Sequence, residues 1–181
     1  MSAPVGRRLV SLSILAGALT PLAGCGFQPV YMGTASDKAG PAQRNLAAIH
    51  VALIPDRPGQ ELREALKRSL GSDSGVPPRY ELAVAFGVSG EGIGIQANNL
   101  ATRLRLISQA SYTLRRLDAK QTVLFSGAAR AMDGVNVFDS QYFAADLEVE
   151  AEEKRMANEI AQQIAMQLAV FFRSRAAKRN G

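Results

Sequence analysis

Tyr80-Glu81-Leu82-Ala83-Val84-Ala85-Phe86-Gly87-Val88 alternates without a break. Tyr80, Leu82, Val84, Phe86 and Val88 fall on one side of an extended chain, and Glu81, Ala83, Ala85 and Gly87 on the other. Successive side chains of a strand point to opposite faces, so the stretch predicts a strand with one side in a core and one toward water. A second strand is predicted from about Thr102 to Leu117. There Leu104, Leu106, Ala110, Tyr112 and Leu114 share one side, while Arg103, Arg105, Gln109, Thr113 and Arg115 share the other, with Ile107 among them. Between the two, Ser89 to Leu100 is rich in Gly and Asn and is expected as an unusually long hairpin connection. Asp118-Ala119-Lys120 turns the chain, and Gln121 to Met132 returns as a third strand.

The pattern changes on either side of this meander. Upstream, Gly71 to Pro78 reads as a loop, and a helix is predicted from about Pro58 to Leu70. Its apolar stripe is Leu62, Ala65, Leu66, Ser69 and Leu70, with Glu64 and Arg68 one turn apart on the wet side. Before it, Leu46 to Ile54 alternates Ile49, Val51 and Leu53 against Ala48, His50 and Ala52, which predicts a strand ended by Pro55. Downstream, Asp133 to Asp146 reads as a loop, followed by a helix from about Ala145 to Arg173. Met156, Ile160, Ile164, Leu168 and Phe172 line one side of that helix, and Glu159, Gln162 and Gln163 the other. Met166 and Val170 lie on its outer side. Residues 174–181 read as a basic tail. The order strand, helix, three antiparallel strands, helix predicts an α+β fold in one domain, residues 46–173. It is expected as an antiparallel sheet of about four strands with two helices packed on one face. The other face carries Arg103, Arg105 and Arg115 and is open to water or to a partner.

Apolar residues make up 47% and charged residues 20% of the 181, as in a globular protein. The N-terminus departs from that average. Arg7-Arg8 precede an apolar run, Leu9 to Leu19, of about ten residues, the pattern of a secretory signal peptide. The run is short of the roughly 20 residues a membrane-spanning helix needs. Leu22-Ala23-Gly24-Cys25 follows, with small residues before the only cysteine of the chain. A lone cysteine in an exported protein has no internal disulfide partner. Residues 1–24 are therefore expected to be removed between Gly24 and Cys25. Residues 25–45 are expected as a modified N-terminus and linker, polar and small from Gly33 to Arg44. Losing Arg7 and Arg8 leaves 19 basic against 16 acidic residues, a net +3. So mild a charge makes no case for nucleic acid.

No catalytic constellation stands out. His50 is the only histidine and sits in a predicted strand among alanines. No HExxH or CxxC spacing occurs. The glycines at 87, 90, 92 and 94 follow a strand, but no helix pattern follows them, so they do not read as a phosphate cradle. Asp133, Asp139 and Asp146 lack the regular spacing of a calcium loop. No metal, cofactor or enzymatic activity is expected. The basic residues Arg103, Arg105, Arg115, Arg116 and Lys120 remain along one hairpin, and arginine pairs phosphate in bidentate geometry.

Leu22-Ala23-Gly24-Cys25 resembles the lipobox of bacterial lipoproteins. In that class the cysteine thiol receives a diacylglyceryl group and the new amine is acylated. Cys25-Gly26-Phe27-Gln28-Pro29-Val30-Tyr31 resembles the mature start of the LptE family of lipopolysaccharide-assembly lipoproteins. The similarity continues through the element order, the Phe138-to-Phe143 segment and the Ala/Ile/Gln-rich last helix. It implies a non-catalytic protein on the periplasmic side of the outer membrane. There it would plug and help assemble the LptD β-barrel, which passes lipopolysaccharide to the outer leaflet. Gly26, where a retention signal would often be Asp, is compatible with outer-membrane sorting. One feature departs from the family. Some members are proposed to meet lipopolysaccharide through basic residues near the second-to-third-strand loop, whereas Gly90 to Leu100 here holds Glu91 and no Lys or Arg. The expected contact moves to Arg103, Arg105 and Arg115. The same pairing of helices and a small sheet behind a lipobox also suits an accessory lipoprotein of a lipid-trafficking ABC transporter.

Overall fold

A computed structural model describes residues 40–95, 101–136 and 142–180. In chain order the elements are α1 (Pro41–Ala47), β1 (Ile49–Val51), α2 (Arg57–Leu70), β2 (Tyr80–Ile95), β3 (Ala101–Arg116), β4 (Val123–Asn136) and α3 (Tyr142–Asn180). The strands form one sheet in the order β1-β2-β3-β4. The α+β class holds, with three helices among the described residues where two were expected.

The predicted alternation organises the sheet. Leu82 and Leu114 are fully buried opposite each other, and Tyr80, Val84, Leu106, Ala110 and Tyr112 join them on the inner face. α3 lays Met156, Ile160, Ile164, Leu168 and Phe172 over that face, and α2 adds Leu62, Ala65, Leu66 and Leu70. Burying a Leu or Ile side chain contributes about 1.5–3 kcal/mol, so this one layer is the main source of stability. Even the polar exception is partnered, since the fully buried Ser108 hydroxyl lies 3.5 Å from the Met156 sulfur.

Four expectations are corrected. First, β1 runs parallel to β2, because α2 is a crossover that brings the chain back in the same direction. β1 is only three residues long, and Leu53, expected inside, is 74% exposed. Second, the expected linker and the start of the expected first strand contain α1. Pro41 opens that helix, and Ala42 and Leu46, one turn apart, are buried. Third, the long hairpin connection is mostly strand, with β2 and β3 paired as far as Ile95 and Ala101. Its glycines need no side chain to keep the ladder, and Leu104 and Leu106 of β3 lie across the space above Gly90. Fourth, β4 continues through Asp133 to Asn136, and α3 runs on through the expected tail to Asn180.

The loop before α2 depends on one close approach. A Cβ on Gly59 would sit 2.8 Å from Ile54 Cγ2 and 3.2 Å from its backbone. α2 ends at Gly71, whose left-handed φ of 70° lets its N–H and that of Ser72 reach the carbonyls of Arg68 and Lys67. On the wet side Glu64 pairs with Lys67 at 2.8 Å, and Arg68 turns instead to Asn158 at 3.2 Å. The Lys67 hydrogen bond holds the Glu64 carboxyl below its usual range.

Candidate functional site

Among the described residues no helix covers the outer face of the sheet. Strand parity places Glu81, Ala83, Ala85 and Gly87 there from β2, Gln109, Ser111 and Thr113 from β3, and Ser126, Ala128 and Arg130 from β4. Ala83, Ala85, Ser111, Thr113, Ser126 and Ala128 in its middle are short, so a shallow trough of about 560 Å³ forms there, edged by Gln109 and Arg130. Small residues on a sheet leave the backbone open to close approach by a flat partner.

The three arginines predicted as a contact site all lie on this face, as their shared parity required, but the fold does not gather them. Arg103 and Arg105 are exposed near the hairpin end of β3. Arg105 is opposite Glu91 and pairs with it at 3.8 Å, so the one acidic residue of the expected loop is a cross-strand partner. The Arg103 guanidinium lies beside Gly134 of β4, where a Cβ would come within 3.0 Å of its Nε. Arg115, half-buried, is ten residues further along β3 and faces Glu81. At about 3.4 Å per residue that is some 34 Å away. Arg103 and Arg105 therefore form a pair and Arg115 stands apart. Gly24 and Cys25 lie outside the described residues.

Asp133 and Asp146 lie in regular elements and not in the expected loop. Asp133 is in β4, accepts a hydrogen bond from the Gly134 N–H at 2.7 Å and pairs with Arg155 at 3.9 Å. Arg155 also pairs with the buried Glu152. Asp146 is in α3, and Asp139 lies outside the described residues. Among the described residues no three His, Cys, Asp or Glu side chains come together to hold a metal. His50 is exposed on β1, in register with Glu81. No helix among the described residues is long and apolar enough to cross a membrane.

The sequence reading missed the role of Gln163 and Gln167. Gln163 accepts from the Arg130 N–H at 3.4 Å and donates to the Arg130 carbonyl at 3.1 Å. Gln167 donates to the Ala128 carbonyl at 3.1 Å. These are the backbone groups that β4, an edge strand, turns away from β3. The Tyr112 hydroxyl reaches the same Gln167 at 2.6 Å, and burial pushes the phenol up to about 12. The i, i+4 spacing of the two glutamines was visible, but nothing in the sequence placed an edge strand beside them.

The sequence matches the model of the lipopolysaccharide-assembly family LptE over residues 46–168, from α1 through most of α3. The chain belongs to the LptE family. The match spans the whole sheet, α2 and most of α3, so the folded domain, and not the N-terminal segment, carries the assignment. Among solved structures, a lipoprotein of Caulobacter crescentus CB15 superimposes with a TM-score of 0.56 at 26% identity, covering 72% of this chain and 95% of its own. Lipoprotein B of Nitrosomonas europaea aligns at 18% identity with a TM-score of 0.49, covering 68% of this chain and 81% of its own. Rare lipoprotein B of Shewanella oneidensis aligns at 12% identity with a TM-score of 0.47, covering 74% and 98%. No curated protein matches the sequence. As an LptE family member the chain is an accessory lipoprotein of lipopolysaccharide assembly in the bacterial envelope.

Proposed function

We propose that this LptE-family chain is exported, cut after Gly24 and lipidated at Cys25 with a diacylglyceryl group and an N-acyl chain. It then resides on the periplasmic side of the outer membrane as the plug and assembly partner of an LptD-type β-barrel. The family match over residues 46–168 is the observation that carries this reading. The lipobox Leu22-Ala23-Gly24-Cys25 supports the anchor. Several acyl chains on one residue hold a protein firmly, at about 0.8 kcal/mol per buried methylene, where a single chain is marginal.

The work is recognition and not catalysis. The open face of short side chains suits a barrel wall, because a flat small-residue sheet can approach another sheet closely. Arg103 and Arg105, at the hairpin end, are the groups assigned to the lipopolysaccharide phosphates. Arg105 already shares its charge with Glu91, which leaves Arg103 as the stronger donor. Depletion in the host tests the reading. Immature barrel and reduced surface lipopolysaccharide are expected, and normal levels of both would overturn it. Mass spectrometry of the mature protein tests the anchor separately, with a triacylated Cys25 as the first residue.

A further inference from the structure

At the base of the sheet, away from Arg103 and Arg105, five cations from four segments surround one cleft. Arg44 comes from α1, Arg79 from the residue before β2, Arg116 from the end of β3, and Arg175 and Lys178 from the last turns of α3. The cleft measures about 600 Å³, within the roughly 300–1,000 Å³ of small-molecule sites. Its floor is apolar. Tyr80 and Phe172 are buried with ring centroids 5.2 Å apart, and Leu124 is half-buried beside them. Asn45 adds an amide 3.4 Å from the Tyr80 hydroxyl. Among the described residues no carboxylate lines the cleft. Among the described residues, the one ion pair to these five cations is that of Arg116 with Asp118, at 3.9 Å.

Like charges held together repel, and nothing in the packing of the core requires them here. Helix dipoles favour cations near the last turns of α1 and α3, which accounts for Arg44, Arg175 and Lys178. Arg79 and Arg116 belong to no helix. An anion in the cleft would relieve all five at once. Guanidinium groups fit phosphate oxygens in pairs, and the aromatic floor beneath them suits an apolar group joined to that phosphate. Pro41 also lines the cleft, so the chain enters the domain there. It is 16 positions after Cys25, a reach of about 55 Å at full extension.

We propose that this cleft binds the phosphate headgroup of an anionic membrane phospholipid and seats the base of the domain on the leaflet. The choice of a membrane lipid over a free phosphate rests on the reading of Cys25 as the anchor. The site itself goes beyond barrel assembly.

Native mass spectrometry of the full lipidated protein released from neutral detergent tests this. The probes are dioleoylphosphatidylglycerol, dioleoylphosphatidylcholine and inorganic phosphate. One phosphatidylglycerol per protein is expected, held at least tenfold more tightly than phosphatidylcholine. The variant R79A/R175A should lose at least tenfold in affinity, and Arg44→Glu, an exposed change on α1, should do the same. Lys154→Ala, an exposed change in the first half of α3, should bind as the parent does. Equal binding of the two lipids, or an equal loss in Lys154→Ala, would overturn the site. Inorganic phosphate bound as tightly as phosphatidylglycerol would overturn the lipid as its source. None of these results bears on barrel maturation, so the two readings fail separately.

Discussion

Tyr112 rises from the inner face of β3, and its hydroxyl reaches α3 by crossing a position on β4 that has no side chain. That position is Gly127, its register partner. A Cβ there would sit 2.6 Å from the Tyr112 hydroxyl oxygen and 3.0 Å from Gln167 Oε1. The ring is buried against Phe125 and has little room to move. Gly127→Ala is therefore expected to destabilise the protein by about 1–3 kcal/mol, as overpacking does, in urea unfolding. Adding Tyr112→Phe removes the clashing oxygen, so the double variant should lose less than the two single changes summed. Strict additivity would contradict the contact. The same burial that raises the phenol to about 12 favours its neutral form in the folded state. An unfolded tyrosine titrates near pH 10. Between those values the folded chain binds more protons, so stability is complete below about pH 10 and falls as pH rises through about 12. Tyr112→Phe should flatten that alkaline loss in melts taken across the window. An unchanged slope would mean that other groups cause it.

β4 shows how one element protects another. An edge strand offers unpaired N–H and C=O groups to any passing strand, and proteins blunt such edges. Here the device is a pair of amides. Residues one turn apart on a helix are about 5–6 Å apart at Cβ, close to the roughly 6.8 Å between alternate strand residues. Gln163 and Gln167 thus meet Arg130 and Ala128, and Asp133 takes the Gly134 N–H further along. Q163A/Q167A should leave the core packed but expose this edge. Concentration-dependent self-association in sedimentation is the expected result, and a strictly monomeric variant would show that the edge is protected by other means. Such an edge was not legible in the sequence. The alternation at Tyr80–Val88 and in β3 was, because a buried face leaves a period-two record. The three parts of β4, α3 and the sheet that meet at Gln167 leave none. The parallel direction of β1 also leaves no mark on its own residues, since α2 sets it. Leu46 looked like a strand residue because it is apolar, yet it is buried in a helix. The glycines of β2 suggested a loop, although cross-strand bonding needs no side chains. The shared face of Arg103 and Arg105 was legible because strand parity alone places them. The basal cations come from four segments, and only the folded chain brings them together.

At the scale of the whole molecule the two ends differ in charge. α3, with 39 residues, is about 58 Å long, and β3, with 16 residues, about 53 Å. The molecule is therefore long enough for its ends to meet different surroundings. At the hairpin end Arg105 is paired with Glu91. At the base the cations of the cleft gather beside Pro41, the first residue of α1. On the proposed lipid site in this cleft, the base is expected to face the membrane with the hairpin pointing away. Single labels can read this orientation on the protein lipidated as proposed, since acylation would leave Cys25 unreactive toward a thiol dye. Ala177→Cys, exposed on the last turns of α3, should be strongly quenched by nitroxide lipids in phosphatidylglycerol-containing vesicles. Glu91→Cys, near the hairpin end, should be quenched little. Screening in high salt should weaken the difference, because headgroup attraction at a surface falls off over a Debye length of about 8 Å at physiological ionic strength. Equal quenching at both positions in low salt would mean that the tether alone holds the domain. Stronger quenching at residue 91 would mean that the hairpin, with Arg103 and Arg105, is the end that meets the lipid.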